Sequence, residues 1–405
     1  MNILMLSTTF PYPPTRGGTQ VRTFNLLKYL AQNHDITLVT QRGKEVTDAE
    51  IEGLRQWVSE LVVFPRPSEA KLQPGAIAKL QRFATFVNQG TPPSVLSAYS
   101  RPMQEWIDQH VQAGKCEVIT CEHSVNEIYV KPEFQEQVRT VVNVHSSVYG
   151  TCLNQVQTKT AEKLWRDRLN LPLLKRYERR YCTKFDRIVV TTEEDRQQLQ
   201  TFNPGAQFQV VTNGVDLVAF PQRTADPGGH QLIFIGAMDN LANIDAARFL
   251  SLEVLPIVQQ RYPDTTLVLV GSRPAPEVRV LSDRLGVTVT GQVPSMADYL
   301  HQATACVISM RTGFGIKNKT LEAMAAGVPI VASDRGLEGL TVDGPNVPLR
   351  ALRANSVTEY VSAISQLFEN SVLRVELSQN ARSMIETDYT WERAGQLYEQ
   401  ALLQA

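Results

Sequence analysis

The sequence predicts an α/β protein made of two doubly wound, Rossmann-like domains, and three observations carry that reading. Short apolar runs rich in β-branched residues recur: NILMLST, DITLVT, LVVFP, EVITC, RTVVNVH and RIVVTT, then QLIFIGA, TTLVLVG, VTVTG, ACVISM and PIVAS. Most are separated by helical periodicity, the pattern of βα units feeding parallel sheets buried on both faces. A chain of 405 residues exceeds what one hydrophobic core usually holds. The strand series also restarts after the polar, Pro/Gly-containing stretch FPQRTADPGGHQ. The domains are expected at 1–212 and 231–385, joined by a linker at 213–230, with a C-terminal helix over 386–405. That helix either packs on the second domain or returns to the first.

Composition narrows the class. With 43% apolar and 20% charged residues the chain is of ordinary globular type. Forty basic against forty-one acidic side chains leave a net charge of -1, which gives no reason to expect nucleic acid as a partner. No apolar run approaches the roughly 18 residues of a membrane span. Cys116, Cys121, Cys152, Cys182 and Cys306 are odd in number and dispersed, so reduced thiols and a cytoplasmic location fit.

Taken in order, MNILMLSTTFPYPP reads as a first buried strand and not a signal peptide, because no basic segment precedes the apolar run and it stops at Thr8 and Thr9. PPTRGGTQVRTFNLLKYL then sets Gly17 and Gly18 just before an amphipathic helix. Adjacent glycines, open N–H groups and the positive end of the helix dipole suit a phosphate; the plainer reading is an ordinary βα turn. His123 with Glu122 in TCEHS, and His145 followed by Ser146 in TVVNVHSSVYG, both end buried strands. Either imidazole suits a sugar hydroxyl or a developing charge, and a satisfied core histidine is the common alternative.

From Lys159 to Arg187 run ten Lys or Arg and four acids. An exposed helix face with internal ion pairs, such as Arg176 with Glu178, is the ordinary interpretation. A basic amphipathic surface that docks anionic lipid or an acidic acceptor is the other.

In the second half, RTGFGIKNKTLEAMAAGVPIVAS follows a strand with a Gly-rich loop and a short helix. Glu322 opens that helix region, where a carboxylate can accept two ribose hydroxyls. Lys317 and Lys319, with the N–H groups around Gly313 and Gly315, suit a diphosphate. A solvated charged loop is the competing reading.

PPTRGGTQVR, VVTNGVD, FIGAMDNLANIDAARFL, GFGIKNKTLEAMAAGVPIVAS and the terminal TWERAGQLYEQAL together resemble the GT-B glycosyltransferases of family 4, over nearly the whole length. The resemblance implies two Rossmann-like domains facing each other across a cleft and retaining transfer from a nucleotide diphosphate sugar. It implies Gly17 and Gly18 beside the donor phosphates and Glu322 on the ribose. His145 matches the strand-end histidine of the acceptor-side domain, with Ser146 beside it; the resemblance thus selects His145 over His123.

Two departures stand out. An ungapped count puts Phe314 where the family has the first glutamate of a Glu-x7-Glu pair, and aligning the GFG puts Thr312 there. The family's basic pair after the first strand of the second domain is also absent, since no Arg or Lys occurs in that region before Arg248, and Lys317 and Lys319 are the residues expected to neutralise phosphate in its place. Catalytic roles are therefore expected of His145, Lys317 and Lys319, and donor binding of Gly17, Gly18, Gly313, Gly315 and Glu322.

The donor is a substrate; no cofactor and no metal are expected, and no Asp-x-Asp pair is present. The acceptor is a sugar, a lipid-linked group or a small molecule, with peripheral contact at the inner membrane face through 159–187. The segment GTPPSVLSAYSRPMQEWI is expected to shape acceptor binding. Competing classes are a non-catalytic GT-B protein that binds a nucleotide sugar or a partner enzyme, and a same-fold enzyme that isomerises its nucleotide sugar.

Overall fold

A computed structural model describes residues 1–14, 17–67, 83–88, 90–158, 161, 163–313 and 315–403. Lys159 and Phe314 lie outside them. The chain divides into two compact units, Met1–Thr212 together with the chain end from Ala394, and Asn213–Arg393.

The first unit holds a seven-stranded parallel sheet of β1 (Asn2–Ser7), β2 (Asp35–Arg42), β3 (Glu60–Pro65), β4 (Val118–Glu122), β5 (Arg139–Val144), β6 (Arg187–Val190) and β7 (Phe208–Val210). Its order is β3-β2-β1-β4-β5-β6-β7. β1 is central because every residue from Ile3 to Ser7 is buried, with Ile3 opposite both Ile36 and Val118. The chain winds outward from β1 to β3 and then returns to β4, so the crevice beyond β1 and β4 is a topological switch point, where open α/β sheets bind ligands.

The second unit holds a six-stranded parallel sheet of β8 (Gln231–Ile235), β9 (Thr266–Val270), β10 (Val287–Gly291), β11 (Ala305–Ile308), β12 (Ile330–Ala332) and β13 (Leu352–Arg353), ordered β10-β9-β8-β11-β12-β13. Its switch point lies between β8 and β11. The two-residue β13 has no counterpart among the strand-like runs of the sequence, because two residues give no alternation to detect.

Residues 213–230, read as a linker, pack on this second unit. Val215 N–H donates to Tyr389 O at 2.9 Å, Arg223 N–H to Ala326 O at 3.0 Å, and Asp226 pairs with Arg374 at 2.7 Å. Their polar, Pro/Gly-rich composition reflects irregular backbone held by side-chain ion pairs rather than freedom from the core.

Five helices position the site: α1 (Gly18–Leu30), α2 (Val148–Gln157), α3 (Leu164–Cys182), α4 (Asn318–Ala325) and α5 (Trp391–Leu403). From Ala394 onward α5 belongs to the first unit. Tyr398 is fully buried there with its hydroxyl on Thr120 and the Glu122 carboxylate, Glu399 meets His34 at 2.7 Å, and Arg139 donates to Leu402 O at 2.8 Å. Gly395 lies against the Tyr29 ring so closely that a Cβ would stand 2.1 Å from Cγ. Gly395→Ala is therefore expected to lower stability by about 1–3 kcal/mol through overpacking, read as a lower urea midpoint with an unchanged slope.

Candidate functional site

In the second unit the backbones at the ends of β8 and β9 nearly touch. A Cβ on Gly271 would stand 1.7 Å from Gly236 O, so no side chain fits there. Gly236 itself has φ 149, and a Cβ on it would meet Asn243 Nδ2 and Lys319 Nζ, each at 2.9 Å. The loop after β11 takes left-handed turns at Gly313 (φ 96) and Gly315 (φ 76), which deliver the chain into α4.

Lys319, in the first turn of α4, reaches this glycine pair. Its ammonium donates to Asn243 Oδ1, lies 3.6 Å from Met310 Sδ and stands 4.7 Å over the Phe234 ring. Asn243 is fixed in turn by donating to Ala237 O at 2.7 Å. Burial pushes the Lys319 ammonium down to about 7; Lys317 adds to this, and Glu322 and Cys306 oppose it. Glu322 follows Lys319 by three residues on the same helix. Burial raises its carboxyl to about 7 against the pull of Lys319. The arrangement is a cation buried at a sheet switch point beside bare glycine backbone, with a carboxyl one turn away. Glu322 stands inside α4 and not at its start, because the helix begins four residues earlier, at Asn318.

Lys317 is placed differently from Lys319. Its buried ammonium turns back to Gly315 O and lies 3.2 Å from Glu338, whose other oxygen meets Arg335 at 2.9 Å. It therefore braces the loop that contains Gly313 and Gly315. The expectation that both lysines neutralise one diphosphate thus meets two different environments, since Glu338, 21 residues downstream, gave no local signal. Thr312 is buried.

In the first unit, Gly17 is the N-cap of α1 with extended backbone (φ 176), and Gly18 is the first helical residue. Among the described residues no side chain caps this helix, and no acid occupies its first turn. Among the described residues a Cβ on Gly17 would find only Gln20 Oε1, at 3.7 Å, so their packing does not demand glycine there.

His145 follows β5 with Ser146 half-buried beside it. Its ring meets that of His123, one strand away, edge to face at 5.0 Å. Burial holds His145 well below the usual imidazole range, helped by His123 and Arg22, and its buried Nε2 has no hydrogen-bond partner among the described residues. His123 is pushed down to about 4 by burial, and its Nδ1 accepts from Val125 N–H at 3.3 Å, so its Nε2 carries the proton.

Next to both histidines along their strands stands a buried polar cluster, of which sequence reasoning named Glu122 alone. Arg22 of α1, 1% exposed, donates to Asn143 Oδ1 at 3.1 and 3.0 Å and to Thr212 O at 3.1 Å. Asn143 donates to Glu122 at 2.9 Å, and Glu122 also accepts from Thr120 and Tyr398. Buried polar residues at strand positions 122 and 143 were the available signal, since unpaired polar groups are not tolerated there.

A cavity of about 300 Å³ opens at the switch point of this sheet, lined among others by Thr9, Thr19, His123, Val148, Leu174 and Tyr177. Pro92, Ser94 and Val95 of the GTPPSVLS segment also line it, so part of that segment does border a pocket. Among the described residues no three His, Cys, Asp or Glu side chains gather in a metal-ligating group.

A model of the family described as Glycosyltransferase Family 4 matches residues 16–218, and one described as Glycosyl transferases group 1 matches residues 229–370. A phosphatidyl-myo-inositol mannosyltransferase of Mycobacterium tuberculosis is 33% identical over 158 residues, 36% of this chain and 40% of that protein's length. A GDP-mannose:cellobiosyl-diphosphopolyprenol alpha-mannosyltransferase of Xanthomonas campestris is 24% identical over 37% of this chain and 40% of its own. The chain thus spans well under two thirds of these relatives in alignment. Among solved structures, a sucrose-phosphate synthase from Thermosynechococcus elongatus superposes with a TM-score of 0.68 at 18% identity, over 100% of both chains. The Anabaena protein HepE, in complex with UDP and glucose, gives 0.65 at 14% identity over 100% of this chain and 99% of its own. Both share the GT-B fold with this chain.

Proposed function

The chain belongs to glycosyltransferase family 4, and from that premise we propose that it moves a sugar from a nucleoside diphosphate sugar to an acceptor hydroxyl with retention at the anomeric carbon. The observation that carries this is Lys319, a buried cation held against the bare backbone of Gly236 at the switch point of the second sheet.

In the transfer, the bond from the anomeric carbon to the diphosphate oxygen breaks and its electron pair stays with the diphosphate, while the acceptor oxygen bonds to the carbon on the face the diphosphate leaves and passes its proton to the departing diphosphate oxygen, so that configuration is retained. The difficulty is the charge that appears on the leaving oxygen and on the sugar. Fixed dipoles and cations in a dry site stabilise such charge best, because they need not reorganise as it develops. Lys319 takes the diphosphate, with the N–H groups at Gly313 and Gly315 on the loop braced by Lys317. Glu322 accepts the ribose hydroxyls. Gly17 and Gly18 offer an uncapped helix N-terminus to an anion. The unpartnered Nε2 of the neutral His145 accepts or donates one hydrogen bond to the transferred sugar, and the cavity beside His123 receives the acceptor.

Glu322→Ala is expected to weaken binding of the nucleoside diphosphate about 10- to 100-fold, the worth of hydrogen bonds to a charged group. Unchanged affinity by calorimetry would remove Glu322 from the ribose. His145→Ala is expected to lower kcat about 100-fold with donor binding retained; wild-type turnover would assign it to packing alone. The function as a whole is tested by incubating the protein with a panel of nucleotide sugars and acceptors and reading the products by NMR, which also reports anomeric configuration.

A further inference from the structure

We infer that the exposed face of α3 is a docking surface for an anionic lipid bilayer. At 100° per residue, Trp165, Arg168, Leu169, Pro172, Lys175, Arg176 and Arg179 fall within about 120° of one another around this helix. All seven are exposed. The two acids of the helix point the opposite way. Asp167 is buried, and Glu178 is fully buried, accepting from Ser147 Oγ at 2.8 Å and Val148 N–H at 2.7 Å. The surplus of the basic stretch is thereby sorted in space: the four cations of this arc are exposed, Arg176 donating to Val87 O at 3.3 Å and Lys175 standing 5.0 Å over the Phe202 ring, and no acid of α3 accompanies them.

Apolar side chains decide the partner. Trp165 is 68% exposed and Leu169, one turn on, 54% exposed. A polyanion would pair with the arginines and leave this indole and isobutyl group in water. A bilayer surface takes both, placing Trp and Leu at the headgroup boundary while the cations meet phosphate. No helix among the described residues is long and apolar enough to cross a membrane. The other side of α3 contributes Leu174 and Tyr177 to the cavity, so docking brings that cavity's wall to the lipid surface.

Co-sedimentation of the full chain with phosphatidylcholine vesicles, with and without phosphatidylglycerol, tests this. Binding is expected only with the anionic lipid and is expected to fall with added salt. Each cation at such a surface contributes about fivefold to partitioning, so reversing Arg168 and Arg179 to Glu together is expected to weaken binding at least about 25-fold, with nucleotide affinity unchanged. Trp165→Ser with Leu169→Ser is also expected to weaken it, and Trp165→Phe to remove a blue shift of fluorescence on vesicles. Absence of binding at low salt, equal binding to neutral vesicles, or wild-type binding by the Arg168/Arg179 variant would overturn the inference. So would tighter binding to a soluble polyanion indifferent to Trp165, or a dimer that the Trp165/Leu169 variant dissociates.

Discussion

Lys319→Met is expected to reduce affinity for a nucleoside diphosphate by about 100-fold while affinity for the corresponding nucleoside changes little. The methionine keeps an unbranched side chain of similar length and removes only the ammonium that stands over Phe234, so the loss isolates the charge. Hydrogen bonds from an ionised donor are worth roughly 1.5–3 kcal/mol and more where water is excluded. The same residue sets a pH signature. In the empty site burial holds its pKa at about 7, against a counter-pull from Glu322 and Cys306 and with a push from Lys317. A bound diphosphate favours the ammonium and so raises that pKa. Affinity should therefore be full below pH 7 and decline above it, by up to tenfold per pH unit, with proton uptake on binding. Titrations in buffers of different ionisation enthalpy measure that uptake directly. Lys319→Met should abolish it, and Glu322→Gln, which removes the opposing charge, should move the decline to lower pH. A wild-type affinity that is flat from pH 6 to 9 would exclude Lys319 from the phosphate site.

The two-domain α/β plan was legible because strands buried on both faces print continuous apolar runs and helices print their own period. Motif positions were legible for the same reason, since Gly313, Gly315, Lys319 and Glu322 all lie within ten residues and share one βα unit. The different duties of Lys317 and Lys319 were not. They are two residues apart, and what separates them is Glu338 against Asn243, partners brought in from distant elements. His145 raised the same difficulty beside His123, and the structure shows why the two look alike: they end neighbouring strands and their rings touch. The basic stretch was legible as composition only. Whether Glu178 pairs with Arg176 or turns inward depends on the start of α2, whose N–H groups it caps.

Arg22→Met is expected to cost about 3–5 kcal/mol of stability, because it removes the cation from a buried cluster and leaves the other charge in place. Burial already pushes the Arg22 guanidinium down to about 10, with Glu122 and Tyr398 opposing, and raises the Glu122 carboxyl despite Arg22 and three hydrogen bonds. Without the guanidinium, that carboxyl rises further. A folded-state pKa above the unfolded one gives stability that is complete below the unfolded value and is lost as pH rises through the folded value. The deficit of Arg22→Met should thus be larger at pH 8 than at pH 5, and Arg22→Met with Glu122→Gln should recover much of it. A double variant no more stable than the single one would show that the cost is packing and not an uncompensated charge. The cluster also bears on the site, because Glu122 immediately precedes His123 and Asn143 lies two residues before His145. If it positions both rings, the double variant should regain stability yet remain slow in turnover, since a neutral amide in place of the Glu122 carboxylate cannot hold Asn143 and Tyr398 in the same way.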